Sequence, residues 1–257
     1  MDVREGKTSP RMTCPGKNHR IFSGIDVGII NLGLCWAKVS GNYKHFLVYE
    51  IDCLDITKTR HLLVTKQDCT LRHSKGIYDR ISHFVQETPQ FEDCAGIAIE
   101  RQPIMGHTSV EQILYGLLGE KTHLVHPRSM HKEFNIGHLT YDERKLQTTE
   151  ISKQYMTEEC LQKMAEMDRV CDIGDAVCLL LFRIRQLRRL YLKEKAESQA
   201  KEKLVKLLHQ HDGNFEDVLC RFAYIPITFK RNKQVRAEKI IKSKYFVHKS
   251  CTKINKI

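Results

Sequence analysis

The sequence predicts an α/β domain, a five-stranded mixed sheet flanked by helices, followed by a basic, mainly helical C-terminal extension. Three observations carry that prediction. Residues 20–53 read as short apolar strands separated by turn residues, which is an antiparallel meander. Two later segments pair a helix-spaced apolar stripe with a short apolar strand, the order that adds parallel strands to a sheet. From residue 172 a long stripe at helical spacing supplies a helix to cover the sheet.

The elements follow in order. The first strand is Ile21 to Val27. The second, Leu32 to Ser40, alternates Leu34, Trp36 and Lys38 against Cys35, Ala37 and Val39, the period of two that a strand requires. Ser40, Gly41 and Asn42 are turn formers and lead into a third strand, Lys44 to Ile51. Between Leu71 and Glu87, Ile77, Ile81, Phe84 and Val85 fall at helical spacing before Pro89, and Ala95 to Glu100 is a short buried strand. Thr108 to Gly119 carries Val110, Ile113, Leu114, Leu117 and Leu118 as a second stripe closed by glycine, and Thr122 to His126 supplies a fifth strand. Residues 131–141 lack periodicity and read as a loop that becomes helical near Asp142. The last helix carries Ala176, Val177, Leu180, Leu181, Ile184 and Leu187 on its inner stripe. From Arg183 onward the chain has twenty basic and seven acidic side chains. The expected division is a flexible leader over 1–19, one domain over 20–192, and a basic extension or small subdomain over 193–257.

At 257 residues the chain can bury one substantial core. Its formal charge of +11 and pI near 9.1 point to a polyanionic partner. The ten cysteines are dispersed without a C-x-x-C pair, and Cys35, Cys94, Cys171 and Cys178 sit in apolar runs, so they read as reduced and mostly buried. Cys14 and His19 together fall short of the four ligands of a structural zinc site. No apolar run approaches the ~20 residues of a membrane span. The leader has no hydrophobic centre for secretion, and Asp2 and Glu5 argue against a mitochondrial presequence, so an intracellular, soluble protein is expected.

Four carboxylates stand out. Asp26 closes the first strand, Glu100 closes the fourth, and Asp172 and Asp175 open the last helix, where a spacing of three residues sets both on one face. Like charges brought together are stable in ionised form only around a cation or a proton. Mg²⁺ suits such hard oxygen ligands, and a pair of ions ~3.5–4 Å apart can clamp the attacking and leaving oxygens of a phosphodiester.

Gly24-Ile25-Asp26-Val27-Gly28 with Asn31 and Gly33, Ile99-Glu100-Arg101-Gln102-Pro103, Val125-His126-Pro127, Tyr141 followed by Arg144-Lys145, and Asp172-Ile173-Gly174-Asp175-Ala176 resemble the successive motifs of the RuvC-like Holliday junction resolvases, particularly the variant of poxviruses and other large cytoplasmic DNA viruses. The resemblance covers about Ile21 to Leu187 and lies in the order and intervals of the motifs. It implies a ribonuclease H-like sheet and a Mg²⁺-dependent endonuclease that nicks four-way DNA junctions symmetrically as a homodimer. By the same resemblance two Mg²⁺ ions, with Mn²⁺ as a substitute, would be held by Asp26, Glu100 and Asp175, and Asp172 would complete or orient the second ion's site. Lys145 resembles the family's active-site lysine. Candidate DNA contacts are Arg101, Gln102, Arg128, Lys132, Arg144 and Lys145, with a cap on a neighbouring turn as the alternative for Gln102. His126, His131 and His138 have no partner spacing that marks a general base. A viral member would act where viral DNA replicates. Three other readings stay open at this point: a related nuclease acting on forks, flaps or RNA, a noncatalytic branched-DNA-binding protein, and an actin-like phosphotransfer enzyme. The last needs a second Asp-x-Gly strand repeat, which the chain lacks.

Overall fold

The computed structural model describes residues 18–58, 76–104 and 106–210, excepting the side chains of 58 and 207–210. The readings of the leader before 18, of the helix start at 71–75 and of the basic extension beyond 210 lie outside these residues. The chain divides into two compact units, Met1–Glu194 and Lys195–Ile257.

In the first unit a five-stranded sheet has the order β3-β2-β1-β4-β5. β1 (His19–Asp26), β2 (Leu32–Ser40) and β3 (Phe46–Leu54) form the antiparallel meander, and β4 (Cys94–Glu100) and β5 (Thr122–Val125) add in parallel. This is the mixed sheet the sequence predicts. The ends shift by one to three residues: β1 stops at Asp26 instead of Val27, and β3 runs to Leu54 instead of Ile51 and starts at Phe46 instead of Lys44, because Tyr43, at a φ of 57°, turns the chain ahead of it.

Two helices, α1 (Ile77–Gln86) and α3 (Thr108–Leu118), cover one face, while the short α2 (Gln90–Asp93) leads into β4. Their buried Ile81, Phe84, Phe91, Val110 and Leu114 pack with Ile25, Leu34, Trp36, Ile97 and Ile99. The opposite face is covered by α7 (Val170–Gln210), whose Ile173, Ala176, Val177, Leu180, Leu181 and Ile184 pack with Phe22, Cys35, Ala37 and Ala98. Apolar burial of this extent is the main stabilising contribution, roughly 25 cal/mol per Å² removed from water.

Between β5 and α7 the chain forms α4 (Pro127–Glu133), α5 (Tyr141–Lys153) and α6 (Glu158–Ala165). α4 corrects the expected loop over its first residues: Pro127 sits at a first-turn position, where its missing N–H costs nothing, and the His126 ring accepts from the Arg128 N–H at 3.1 Å. The passage between α5 and α6 runs along the outer edge of β3. There Val48 donates to Tyr155 O at 2.8 Å, Thr157 donates to Val48 O at 2.9 Å, and Lys163 Nζ reaches Ile51 O at 2.6 Å. The thiols of Cys35, Cys94 and Cys178 are buried and free, as read from the sequence, and so is Cys160, but Cys171 is only half-buried because it lies on the first turn of α7 beside Asp172.

In the second unit the described residues continue the helix to Gln210, mostly exposed, with Lys206 paired to Glu202 at 2.8 Å. No described helix is long and apolar enough to cross a membrane.

Candidate active site

Strand register brings the first two acids together. Ile25 of β1 is level with Ile99 of β4, so Asp26 and Glu100 leave adjacent parallel strands at the same height and on the face that α7 covers. Across the sheet Asp26 stands opposite Gly33 of β2. Gly33 admits the start of α7: a Cβ there would lie 2.3 Å from Asp172 O and 3.3 Å from Asp26 Cβ. With hydrogen in that place, the first turn of α7 sits directly on the strand end. Asp172 therefore lies in the first turn of the helix, which starts at Val170, and Asp175 follows one turn on.

α5 delivers the fifth group. Its start is fixed by a capping box, in which Thr140 Oγ1 accepts from the Glu143 N–H at 3.4 Å and the Glu143 carboxylate accepts from the Thr140 N–H at 2.9 Å. Gly174 lets α5 close on α7, since a Cβ there would stand 2.9 Å from Thr149 N. One turn above the contact, Lys145 Nζ donates to Asp175 Oδ2 at 2.6 Å and to Asp172 Oδ1 at 3.1 Å. These residues line a cleft of about 650 Å³ together with Gln102, His107, His131, Tyr141, Arg144 and Arg169.

Electrostatics separates the acids into two pairs. Burial raises the Asp26 carboxyl well above the usual range, and the neighbouring Glu100 and Asp175 raise it further. Glu100 is also raised, first by burial and then by Asp175, although hydrogen bonds from Asp26 and Gln102 oppose the shift. Both shifts run in the same direction, toward holding a proton at this pair of neighbouring carboxyls. Asp172 and Asp175 are instead balanced by Lys145. Burial works against the lysine's charge, but Asp175, Asp26 and Asp172 outweigh it and hold the ammonium protonated far up the pH scale.

Among the described residues no three His, Cys, Asp or Glu side chains already ring a metal position. The positive charge set among these acids in the structure is the Lys145 ammonium, 2.6 Å from Asp175 Oδ2 and 3.1 Å from Asp172 Oδ1. The donors are all carboxylate oxygens, hard ligands of the kind Mg²⁺ or Mn²⁺ takes, and their mutual repulsion creates the demand for positive charge. The residues present fit such an ion.

Of the residues singled out in the sequence, Asp26, Glu100, Asp172, Asp175, Lys145, Gln102 and Arg144 line this cleft. Arg101, Arg128 and Lys132 are exposed and lie outside its lining. Gln102 faces inward: its amide nitrogen donates to Glu100 Oε2 and its amide oxygen accepts from the His107 N–H at 3.2 Å, which ties Glu100 to the start of α3. Arg144 Nη1 donates to Leu139 O at 2.7 Å. His131 reaches the cleft, depressed by burial and by Arg144 and Lys145, whereas His126 caps α4 and His138 is exposed. Arg169 is a charged residue of the cleft that sequence reasoning misses. It donates from Nε to Asp172 Oδ2 at 3.1 Å, an i to i+3 pair visible in the sequence only once α7 is known to start between them.

No protein-family model and no curated protein matches the chain. Solved structures do align with it. A fowlpox virus Holliday junction resolvase aligns at a TM-score of 0.47 and 12% identity, over 65% of this chain and 99% of that one. A yeast mitochondrial Holliday junction resolvase aligns at 0.48 and 16%, over 70% and 88%, and Thermus thermophilus RuvC at 0.40 and 18%, over 63% and 92%. At such scores and identities the fold rests on strand order and register. The observed sheet order, β3-β2-β1-β4-β5, is that of the mixed sheet expected from the sequence. Its strand order, with acids at the ends of β1 and β4 and on the first turns of α7, is the arrangement the sequence motifs imply.

Proposed function

We propose that the chain is a metal-dependent endonuclease that resolves four-way DNA junctions by hydrolysing phosphodiesters. The observation that supports this best is the convergence of Asp26, Glu100, Asp172, Asp175 and Lys145 from four separate segments into one cleft of a strongly basic chain. Asp26, Glu100 and Asp175 would hold two Mg²⁺ ions, with Mn²⁺ as a substitute, and Asp172 would complete or orient the second site. When bound, the ions supply a water nucleophile at neutral pH and neutralise charge on the scissile phosphate and the leaving 3′ oxygen.

The chain's own groups do the rest. Gln102 holds the Glu100 carboxylate toward the cleft by its amide. Asp26, at the meeting of both acid pairs, is raised by its burial first and then by Glu100 and Asp175. Lys145 is within hydrogen-bonding reach of Asp175 and Asp172, and an ammonium in that place stabilises negative charge growing on a phosphate oxygen. Tyr141 stands over it, its ring centroid 5.8 Å from Nζ, and restricts the lysine's swing. Arg144 and Gln102 at the cleft, and Arg101, Arg128 and Lys132 outside it, would meet the DNA backbone, which carries affinity without sequence information. Symmetric nicks across a junction need two such clefts, so the working form would be a homodimer.

The experiment is cleavage of a labelled synthetic four-way junction beside duplex, flap and RNA–DNA controls, in Mg²⁺ or EDTA, with wild type and Asp26→Asn. Paired symmetric nicks that need Mg²⁺ and vanish in the variant are expected. Junction binding without cutting would replace the proposal with a noncatalytic role.

A further inference from the structure

Asp172 is the most deeply buried of the acids that pair with Lys145, its side chain only 7% exposed, and both of its oxygens are already engaged. Oδ1 takes Lys145 Nζ at 3.1 Å and the Cys171 thiol at 3.6 Å, while Oδ2 takes Arg169 Nε at 3.1 Å. Arg169 has a second attachment. With the Asn31 amide turned to satisfy both of its neighbours, its oxygen accepts from Arg169 Nη2 at 3.2 Å and its nitrogen donates to Ile30 O at 3.2 Å. Asn31 belongs to the turn between β1 and β2, five residues past Asp26, and Arg169 immediately precedes α7. One guanidinium therefore joins the segment that carries Asp26 to the segment that carries Asp172 and Asp175.

We propose that Arg169 is a positioning residue of the carboxylate site, linking Asn31 to Asp172 and so fixing the acids of α7 relative to the end of β1. The assignment rests on the nuclease reading for its consequence, but the geometry needs no substrate. A guanidinium suits the task because its N–H groups project in a rigid planar fork, so Nε and Nη2 can hold two partners at once. An ammonium is a point charge on a flexible stem and has no such fixed pair of directions. Partners of this kind, which orient a ligand without touching the ion, typically matter to about 10–100-fold in metal affinity or activity. Lys145 cannot substitute, since it approaches the other oxygen of Asp172 from α5.

The test uses the full chain and four variants: Arg169→Gln, Arg169→Lys, Asn31→Ala and the double variant Asn31→Ala with Arg169→Gln. Mn²⁺ binding without DNA is read by electron paramagnetic resonance, and junction cleavage is resolved into kcat and KM. Arg169→Gln is expected to weaken Mn²⁺ binding about tenfold or more and to lower kcat by a similar factor, with KM changed by less than about twofold. Arg169→Lys should fail to restore either value. Asn31→Ala should cause a smaller loss through the same arginine, so the double variant should be no worse than Arg169→Gln alone. A raised KM with unchanged Mn²⁺ affinity would make Arg169 a direct DNA contact and overturn the assignment. Full rescue by lysine, or losses that multiply in the double variant, would overturn it equally. If wild type cuts no nucleic acid the nuclease reading fails, yet the Mn²⁺ affinities still decide the role of Arg169; a wild type without Mn²⁺ affinity sinks both. Should Arg169→Gln not fold, Arg169→Lys and Asn31→Ala carry the same comparison.

Discussion

Replacing Gly33 with alanine is expected to disable the site while leaving every one of its carboxylates and its lysine in the sequence. The added methyl would lie 2.3 Å from Asp172 O and 2.7 Å from Asp172 C, whereas ordinary contact begins near 3.4 Å. Both neighbours are backbone, and neither can rotate away. The first turn of α7 must therefore retreat from β2 by about 1.1 Å, the difference between 3.4 and 2.3 Å. Forced overpacking of this kind costs roughly 1–3 kcal/mol of stability. The catalytic cost is larger, because a displacement of about 1 Å at a reacting centre can cost on the order of 10²-fold in rate. Gly41→Ala is the control, since a Cβ there meets nothing within 4 Å. The assays are single-turnover junction cleavage in Mg²⁺ and thermal unfolding in EDTA, run on both variants. The expected outcome is a Gly33→Ala protein that is folded, slightly less stable and about a hundredfold slower, beside a Gly41→Ala protein that matches wild type. A Gly33→Ala rate within about threefold of wild type, well short of that loss, would refute the claim that contact at Gly33 sets the position of α7.

Asp26→Asn should abolish cleavage and also change the pH dependence of stability. A carboxyl whose folded value is raised keeps its proton in the native state after the unfolded chain has released it near about pH 4. Metal-free wild type should therefore lose stability as pH climbs from there through the raised value, and the Asp26→Asn variant should escape part of that loss; identical urea midpoints for both proteins at pH 5 and pH 7 in EDTA would refute the assigned burial effect. Lys145→Met leaves Asp172 and Asp175 without their counter-charge and should destabilise the metal-free protein by on the order of 3 kcal/mol. Because the folded ammonium is raised, its contribution is fully present below about pH 10 and disappears only above it, so urea unfolding at pH 7 should register the whole loss. Truncation after Leu192 should weaken junction binding and flatten its salt dependence, as titrations at several salt concentrations would reveal; an unchanged slope would show that the tail contacts no phosphates.

The sheet was legible because its signals are local. Asp26 and Glu100 each end an apolar run with a period a single sequence displays, and the three-residue spacing of Asp172 and Asp175 puts both on one face whatever the helix packs against. What escaped the reading depends on packing or on polar geometry between distant segments. α6 carries only Cys160 and Met164 as buried anchors, too few to announce a helix. The first residues of 131–141 join α4 through a proline and a histidine cap, which composition alone reads as loop. Gln102 read as a DNA contact or a cap; the bridge its amide makes between Glu100 and the start of α3 could not be read, because it depends on where α3 begins. Arg169 and Asn31 lie 138 positions apart, and only the close approach of α7 to β2 makes them neighbours.

The passage between α5 and α6 ties two fates of the molecule together. By bonding to Val48 on both sides, residues 155–157 occupy the open rim of β3, the place where a foreign strand would otherwise add. The same few residues anchor the far end of the helix that bears Lys145. Loosening them, for instance by substituting Thr157, whose hydroxyl caps α6, would bare a sticky margin and unmoor the lysine in one event. Protection of the sheet's margin and the seating of α5 thus depend on one short stretch of backbone, so a change that frees the first also frees the second.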